Sequence, residues 1–64
     1  MKEAPQYLLA IYIAQHRHEP PISSGVIAEM LGRSPAAVTE MCQRLGENGL
    51  VTYEPYEGVT LTDS

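Results

Sequence analysis

Four residues in the middle of the chain constrain its fold more than any other segment. Gly32-Arg33-Ser34-Pro35 combines a glycine suited to end one helix, a serine suited to cap the next and a proline suited to the first turn of that next helix. Apolar residues recur at spacings of three and four on both sides of this segment. The segment therefore predicts two helices joined by a tight turn, which is a helix-turn-helix.

The apolar periodicity predicts three helices. The first is expected from about residue 5 to 17, because Pro5 suits its start and two prolines follow its basic end. The second is expected from about 24 to 31, after the N-cap candidates Ser23 and Ser24, and the third from about 35 to 48. The residues predicted to lie on the apolar sides of these helices are Tyr7, Leu8, Ile11, Tyr12, Ala14, Val26, Ile27, Ala28, Met30, Leu31, Val38, Met41, Cys42 and Leu45.

A β-hairpin is predicted after the third helix. Two β-prone runs, at residues 50–53 and 59–62, flank Glu54-Pro55-Tyr56-Glu57-Gly58, a turn rich in proline and glycine, and predict wing strands at about 50–54 and 58–62. Because an isolated hairpin is only marginally stable in water, Leu50, Val51, Val59 and Leu61 are expected to pack on the helices. The predicted fold is mainly α with a small β-hairpin, a three-helix winged helix-turn-helix that forms one domain over residues 1–64.

Composition bounds the class of protein. A chain of 64 residues with 44% hydrophobic residues predicts one small globular domain with a thin core. The N-terminus lacks a basic region followed by a long apolar stretch, so we expect a cytoplasmic protein without a membrane segment. Neither a nucleophile arrangement nor a glycine-rich phosphate loop is present, which argues against an enzyme and against a small-molecule substrate.

The residues with metal-binding or redox chemistry form no recognisable site in the sequence. His16 and His18 are two residues apart on a helix and therefore point apart, so we expect them to be surface residues. Cys42 lies on an apolar stripe and is expected to be a small core residue rather than a redox sensor.

The third helix is the predicted recognition helix. A helix of this length fits the major groove of B-DNA, about 12 Å wide, and the small side chains of Ala36 and Ala37 allow close approach to base edges. The hydroxyl of Tyr56 could reach the DNA backbone, and the alternative is that Tyr53 and Tyr56 both pack under the wing. The residues predicted to contact double-stranded DNA are Arg33, Ser34, Pro35, Ala36, Ala37, Thr39, Glu40, Gln43, Arg44 and Tyr56.

The negative net charge of the chain is the reason to consider a second function besides DNA binding. Eight acidic against four basic residues give a charge of −4, whereas DNA-binding surfaces are usually basic. Because DNA binding needs only a local basic patch, sequence-specific DNA binding remains the first hypothesis. The alternative is a protein-interaction winged helix that does not bind DNA.

The ordered set of segments resembles a known family. Ile27-Ala28-Glu29-Met30-Leu31-Gly32, Ser34-Pro35, Val38-Thr39-Glu40-Met41 and Asn48-Gly49-Leu50-Val51 together resemble the N-terminal domain of the diphtheria-toxin-repressor family, the iron- and manganese-dependent regulators. The resemblance implies a homodimeric transcriptional repressor whose third helix enters the major groove of a palindromic operator.

The resemblance also implies metal ligands on the first helix. The matching positions are Gln6, a weak ligand at best, and Leu9, which cannot bind a metal. The resemblance therefore implies no metal site in this chain, with iron or manganese bound by a longer parent protein. Glu57 stands where the family usually has a basic wing residue, and the capping residues Asp63 and Ser64 favour a further helix beyond this chain.

Overall fold

The computed structural model describes residues 3–62, and in this range it contains three α-helices followed by a two-stranded antiparallel sheet. The predicted winged helix-turn-helix order is therefore confirmed. Asp63 and Ser64, which were expected to open a further helix, lie outside the described residues. The elements are α1 (Ala4–Arg17), α2 (Ser24–Leu31), α3 (Pro35–Glu47), β1 (Val51–Glu54) and β2 (Gly58–Leu61).

Local signals account for the start of α2 and for the turn between α2 and α3. The Ser23 Oγ accepts a hydrogen bond from the Val26 N–H at 3.4 Å, and the Ser34 Oγ accepts one from the Ala37 N–H at 3.2 Å. Gly32 ends α2 in the left-handed conformation, with φ +66°, which glycine adopts without steric cost. The predicted caps at Ser23, Ser34 and Gly32 are therefore confirmed.

The core lies between the three helices and the inner side of the hairpin. Burial of Cys42 confirms its assignment to this core. The described part of the chain contains no buried polar side chain, and no helix in it has the length and apolar character needed to cross a membrane. The largest fully buried side chains are Tyr7, Ile11, Ile22, Ile27, Val38, Cys42, Leu45 and Val59.

Three residues that were expected to pack inside are exposed. Tyr12, Met30 and Leu50 expose 53%, 42% and 39% of their surface, so their assignment to the packed apolar side was wrong. Tyr12 instead meets the ring of His16 edge-on, with 4.7 Å between ring centroids. The physical reason is that helical spacing identifies a broad apolar face but does not show which margin of that face a neighbouring element covers.

A backbone contact that the sequence did not indicate anchors the wing. Ile22, in the linker before α2, pairs antiparallel with Val59, and each N–H donates to the other's carbonyl oxygen at 2.8 Å. Gly58 makes this approach possible, because a Cβ there would lie 2.3 Å from the Ile22 carbonyl oxygen. On the same strand, the Leu61 N–H donates to the Gln15 Oε1 of α1 at 2.8 Å. The wing is therefore held by both the linker and α1.

Candidate nucleic-acid interface

Helix α3 presents one side to solvent along most of its length. Val38, Cys42 and Leu45 face the core, and Thr39 is half-buried at the margin. We call the exposed side the α3 face. Its residues are Ala36, Ala37, Glu40, Gln43 and Arg44, all predicted DNA contacts. The structure therefore brings five of the ten predicted contact residues onto one accessible surface.

The first turn of α3 offers one open backbone donor. Pro35 has no N–H, and the Ala37 N–H already donates to the Ser34 Oγ. Among the described residues, none accepts from the Ala36 N–H through a backbone or side-chain oxygen. Because the positive end of the helix dipole lies here, this N–H is suited to an anionic ligand such as a phosphate.

Both arginines of the predicted interface are paired with carboxylates of the same chain. The Arg33 Nη2 lies 2.9 Å from the Glu3 Oε1, and the Arg44 Nη2 lies 3.4 Å from the Glu40 Oε1 one turn earlier on α3. The exposed fractions of the Arg33 and Glu3 side chains are 39% and 42%, so water still reaches both. Exposed pairs of this kind contribute only about 0–1 kcal/mol. The arginines can therefore exchange these partners at small cost.

The two ion pairs border one shallow cleft between the start of α1 and α3. The volume of this arginine cleft is roughly 190 Å³. Its charged groups are two guanidinium groups and two carboxylates, so their charges sum to zero in the free chain. The lining residues are Glu3, Tyr7, Arg33, Ala37, Glu40, Met41 and Arg44. Glu3 was not among the predicted site residues.

The tip of the wing carries an exposed tyrosine between acidic residues. Tyr56 is fully exposed at a φ of +69°, so packing under the wing, the alternative role, applies to half-buried Tyr53 and not to Tyr56. A side-chain hydrogen bond with Glu57, and then the repulsion between the two carboxylates, raise the pKa of the Glu54 carboxyl. The carboxylates of Glu54 and Glu57 would repel a phosphate, whereas the exposed Tyr56 hydroxyl is neutral and can donate a hydrogen bond to one.

The first helix does not carry a donor set that fits a metal ion. Gln6 is exposed beside a groove that Leu9, Ile13 and Met30 also line, and these three side chains offer no oxygen or nitrogen donor. Within residues 3–62 no group of three or more His, Cys, Asp or Glu side chains is arranged to hold a metal ion. A lone amide oxygen is insufficient to hold a metal ion, so the side chains of this groove do not fit one.

Burial makes Cys42 a poor nucleophile. Desolvation raises the pKa of its thiol from 9.0 to about 11. We expect iodoacetamide at pH 8 to alkylate the urea-unfolded chain readily and the folded chain only at the rate at which it opens. Rapid modification of the folded chain would contradict this placement.

The same pKa shift predicts a loss of stability in alkali. As pH rises from 9.0 towards about 11, the unfolded thiol loses its proton while the folded thiol keeps it. The unfolded state then binds fewer protons, so the free energy of unfolding falls across this range. A urea titration at several pH values measures the fall, and the Cys42→Ala variant should lack this part of it.

Comparison with known proteins agrees with the fold. The family profile described as iron dependent repressor, N-terminal DNA binding domain, matches residues 1–59. An uncharacterized HTH-type transcriptional regulator of Methanocaldococcus jannaschii is 42% identical over 57 residues, which are 89% of this chain and 46% of that protein. The HTH-type transcriptional regulator MntR of Lysinibacillus sphaericus is 50% identical over 36 residues, 56% of this chain and 26% of that protein.

The chain thus spans less than half the length of either relative. The profile match covers nearly the whole chain, and both relatives are named as transcriptional regulators. The family resemblance inferred from the sequence is confirmed: the chain belongs to the iron dependent repressor family and corresponds to its N-terminal DNA-binding domain.

Proposed function

We propose that this chain binds specific double-stranded DNA sequences by placing α3 in the major groove, as the DNA-binding part of a cytoplasmic, metal-dependent repressor. The α3 face is the observation that carries the proposal. It presents small and hydrogen-bonding side chains on a helix whose opposite side is buried in the core. The family membership of the chain supports DNA as the partner.

Base contacts follow from the chemistry of the α3 face. Ala36 and Ala37 leave room for the helix to approach the bases, and an alanine methyl can touch the methyl group of thymine. The Gln43 amide suits the paired donor and acceptor of adenine, and the Glu40 carboxylate can accept from the amino group of cytosine. Thr39, half-buried at the margin of the face, has a hydroxyl that can reach a base or a phosphate. These contacts would supply sequence selectivity.

Phosphate contacts would set the position of the helix. Arg33 precedes α3 and Arg44 lies along it, and both border the arginine cleft, so the two can contact backbone phosphates beside the inserted helix. Ser34 and Pro35 place the Ala36 N–H at the same helix start, and Tyr56 can add a hydroxyl contact from the wing. These groups would bind all sequences alike.

Metal control and dimerisation belong to a longer parent protein in this proposal. Membership of the iron dependent repressor family supports metal regulation. Because α1 offers only Gln6 at the positions that the resemblance assigns to ligands, the ion would be held by residues outside this chain. A homodimer would place two copies of α3 about one helical turn apart on a palindromic operator.

The salt dependence of binding tests the phosphate contacts. We expect Arg33→Ala and Arg44→Ala each to weaken binding to a pool of random-sequence duplexes and to reduce the slope of log K against log salt by up to about 0.9. Fluorescence anisotropy over a series of salt concentrations measures both quantities. Arg17→Ala removes the same charge from the exposed end of α1 and should have a smaller effect.

Two results would count against the proposal. If the three arginine variants behave alike, α3 is not the docking element. If the chain shows no binding even at low salt, the protein-interaction alternative is favoured, and the acidic wing tip of Glu54 and Glu57 then becomes its leading surface.

A further inference from the structure

We propose that Glu3 limits DNA affinity because its carboxylate occupies the position on Arg33 that a DNA phosphate would take. The arginine cleft is then a phosphate subsite that the free chain fills with its own carboxylate. The inference rests on the proposed DNA-binding function and adds to it a residue outside the helix-turn-helix that sets binding strength.

The position of Glu3 is the first argument. Glu3 precedes α1, whereas Arg33 lies in the turn before α3, so their 2.9 Å contact joins two segments that are distant in the sequence. In the part of the chain that the structure describes, no other ion pair joins different elements, because Arg44 and Glu40 belong to the same helix. The contact therefore places the Glu3 carboxylate on the Arg33 guanidinium beside the arginine cleft.

The surroundings of Arg33 are the second argument. Ala37 lines the arginine cleft, and the open Ala36 N–H lies next to it in the chain, at the positive end of α3. A phosphate at this place would meet the Arg33 guanidinium, and Arg44 lines the same cleft. Guanidinium groups bind phosphate and carboxylate through the same paired N–H geometry. The two anions would therefore compete for one site.

Replacement of the Glu3 carboxylate by a DNA phosphate on Arg33 is possible but has a free-energy cost. Phosphate binding must displace Glu3, and the displaced carboxylate then stands close to the phosphate unless it turns to solvent. Because both side chains of the pair are partly exposed, the displacement costs little. The freed carboxylate also takes up a counterion, so fewer ions are released per phosphate bound than in a chain without Glu3.

Glu3→Gln tests the competition directly. We expect this variant to bind a pool of random-sequence duplexes about three- to tenfold more tightly than the unmodified chain at low salt. The variant has no Glu3–Arg33 ion pair to break, and it has no carboxylate to repel the phosphate. Its slope of log K against log salt should be steeper by up to about 0.9. Fluorescence anisotropy titrations at several salt concentrations measure both changes.

Three matched variants separate this mechanism from a general charge effect. Glu19→Gln changes net charge by the same amount at an exposed site after α1 and should have little effect. In an Arg33→Gln background, Glu3→Gln should no longer tighten binding. Glu3→Ser removes the carboxylate at the start of α1, where the Glu3 side chain makes no cap hydrogen bond that could be lost. It should therefore bind like Glu3→Gln while keeping full stability.

The possible failures are distinguishable. If the unmodified chain binds DNA but Glu3→Gln and Glu19→Gln tighten binding equally, the competition is wrong and the proposed function stands. The competition is also wrong if Glu3→Gln tightens binding in the Arg33→Gln background. If none of these proteins binds DNA at low salt, the proposed function fails and the inference fails with it.

Discussion

Gly58→Ala is expected to leave the chain largely unfolded at 25 °C. Gly58 has a φ of +139°, which residues with a Cβ rarely adopt, and its added Cβ would lie 2.3 Å from the Ile22 carbonyl oxygen and 2.6 Å from the carbonyl carbon. The conformational strain alone is about 1–3 kcal/mol. Relief of the overlap would separate Ile22 from Val59 and break two 2.8 Å hydrogen bonds between these buried residues.

Each buried backbone group left without a partner costs about 1–3 kcal/mol more. A core of this size rarely supplies more than about 3–5 kcal/mol in total, so the loss is comparable to the whole stability. Circular dichroism in a urea titration measures the change.

Two other glycines provide matched controls. Gly49→Ala introduces a Cβ at a φ of +75° into open space, so it measures conformational strain without overlap and should cost about 1 kcal/mol. Gly25→Ala lies in α2 with its nearest neighbour, the Ser23 Oγ, at 3.9 Å, and should be neutral or slightly stabilising. If Gly58→Ala lowers the free energy of unfolding no more than Gly49→Ala does, the close approach of Ile22 is not important for stability.

Ala36→Glu is expected to change folding and DNA binding in opposite directions. Ala36 is the second residue of α3 and is exposed, and the first turn of this helix contains no acidic residue. A carboxylate near the positive end of the helix dipole should stabilise the fold by about 0.3–1 kcal/mol. The same charge at the inserted end of the recognition helix would face phosphates and base acceptors, so DNA affinity should fall by roughly a hundredfold.

Thermal unfolding and anisotropy titration measure the two effects on one sample. Ala36→Gln introduces a side chain of nearly the same shape as Glu but without its charge, so it should weaken DNA binding much less than Ala36→Glu. Gln6→Glu places the same charge in the first turn of α1 and should retain most of the affinity when a chelator is present. Ala36→Glu binding DNA as tightly as Ala36→Gln would contradict the docking of α3.

The sequence predicted the helix-turn-helix well because its signals are local. Ser34, Pro35 and Gly32 act on backbone groups within a few residues of themselves, so their effect can be derived without the rest of the fold. The α3 face was predictable for a related reason. Once α3 is a helix with Val38 and Leu45 inside, the helical repeat decides which residues point outward.

Features that depend on contacts between distant segments were not predictable. The pairing of Ile22 with Val59 joins a linker to a strand, and no periodic pattern in a short linker marks it. A glycine within a β-prone run can indicate close approach of another backbone, and this signal was present at Gly58 but was attributed to the turn. The contact of Glu3 with Arg33 gave no signal, because exposed charges can pair with any neighbour that the fold supplies.

The central claim, that this domain recognises DNA sequence through α3, is tested most directly by selection from a pool of random duplexes. The protein is mixed with the pool at low and moderate salt, and the retained DNA is sequenced. We predict salt-sensitive retention and enrichment of one defined half-site, with the Ala36→Glu variant enriching nothing. Absence of retention at low salt, or retention without any sequence enrichment, would contradict the claim.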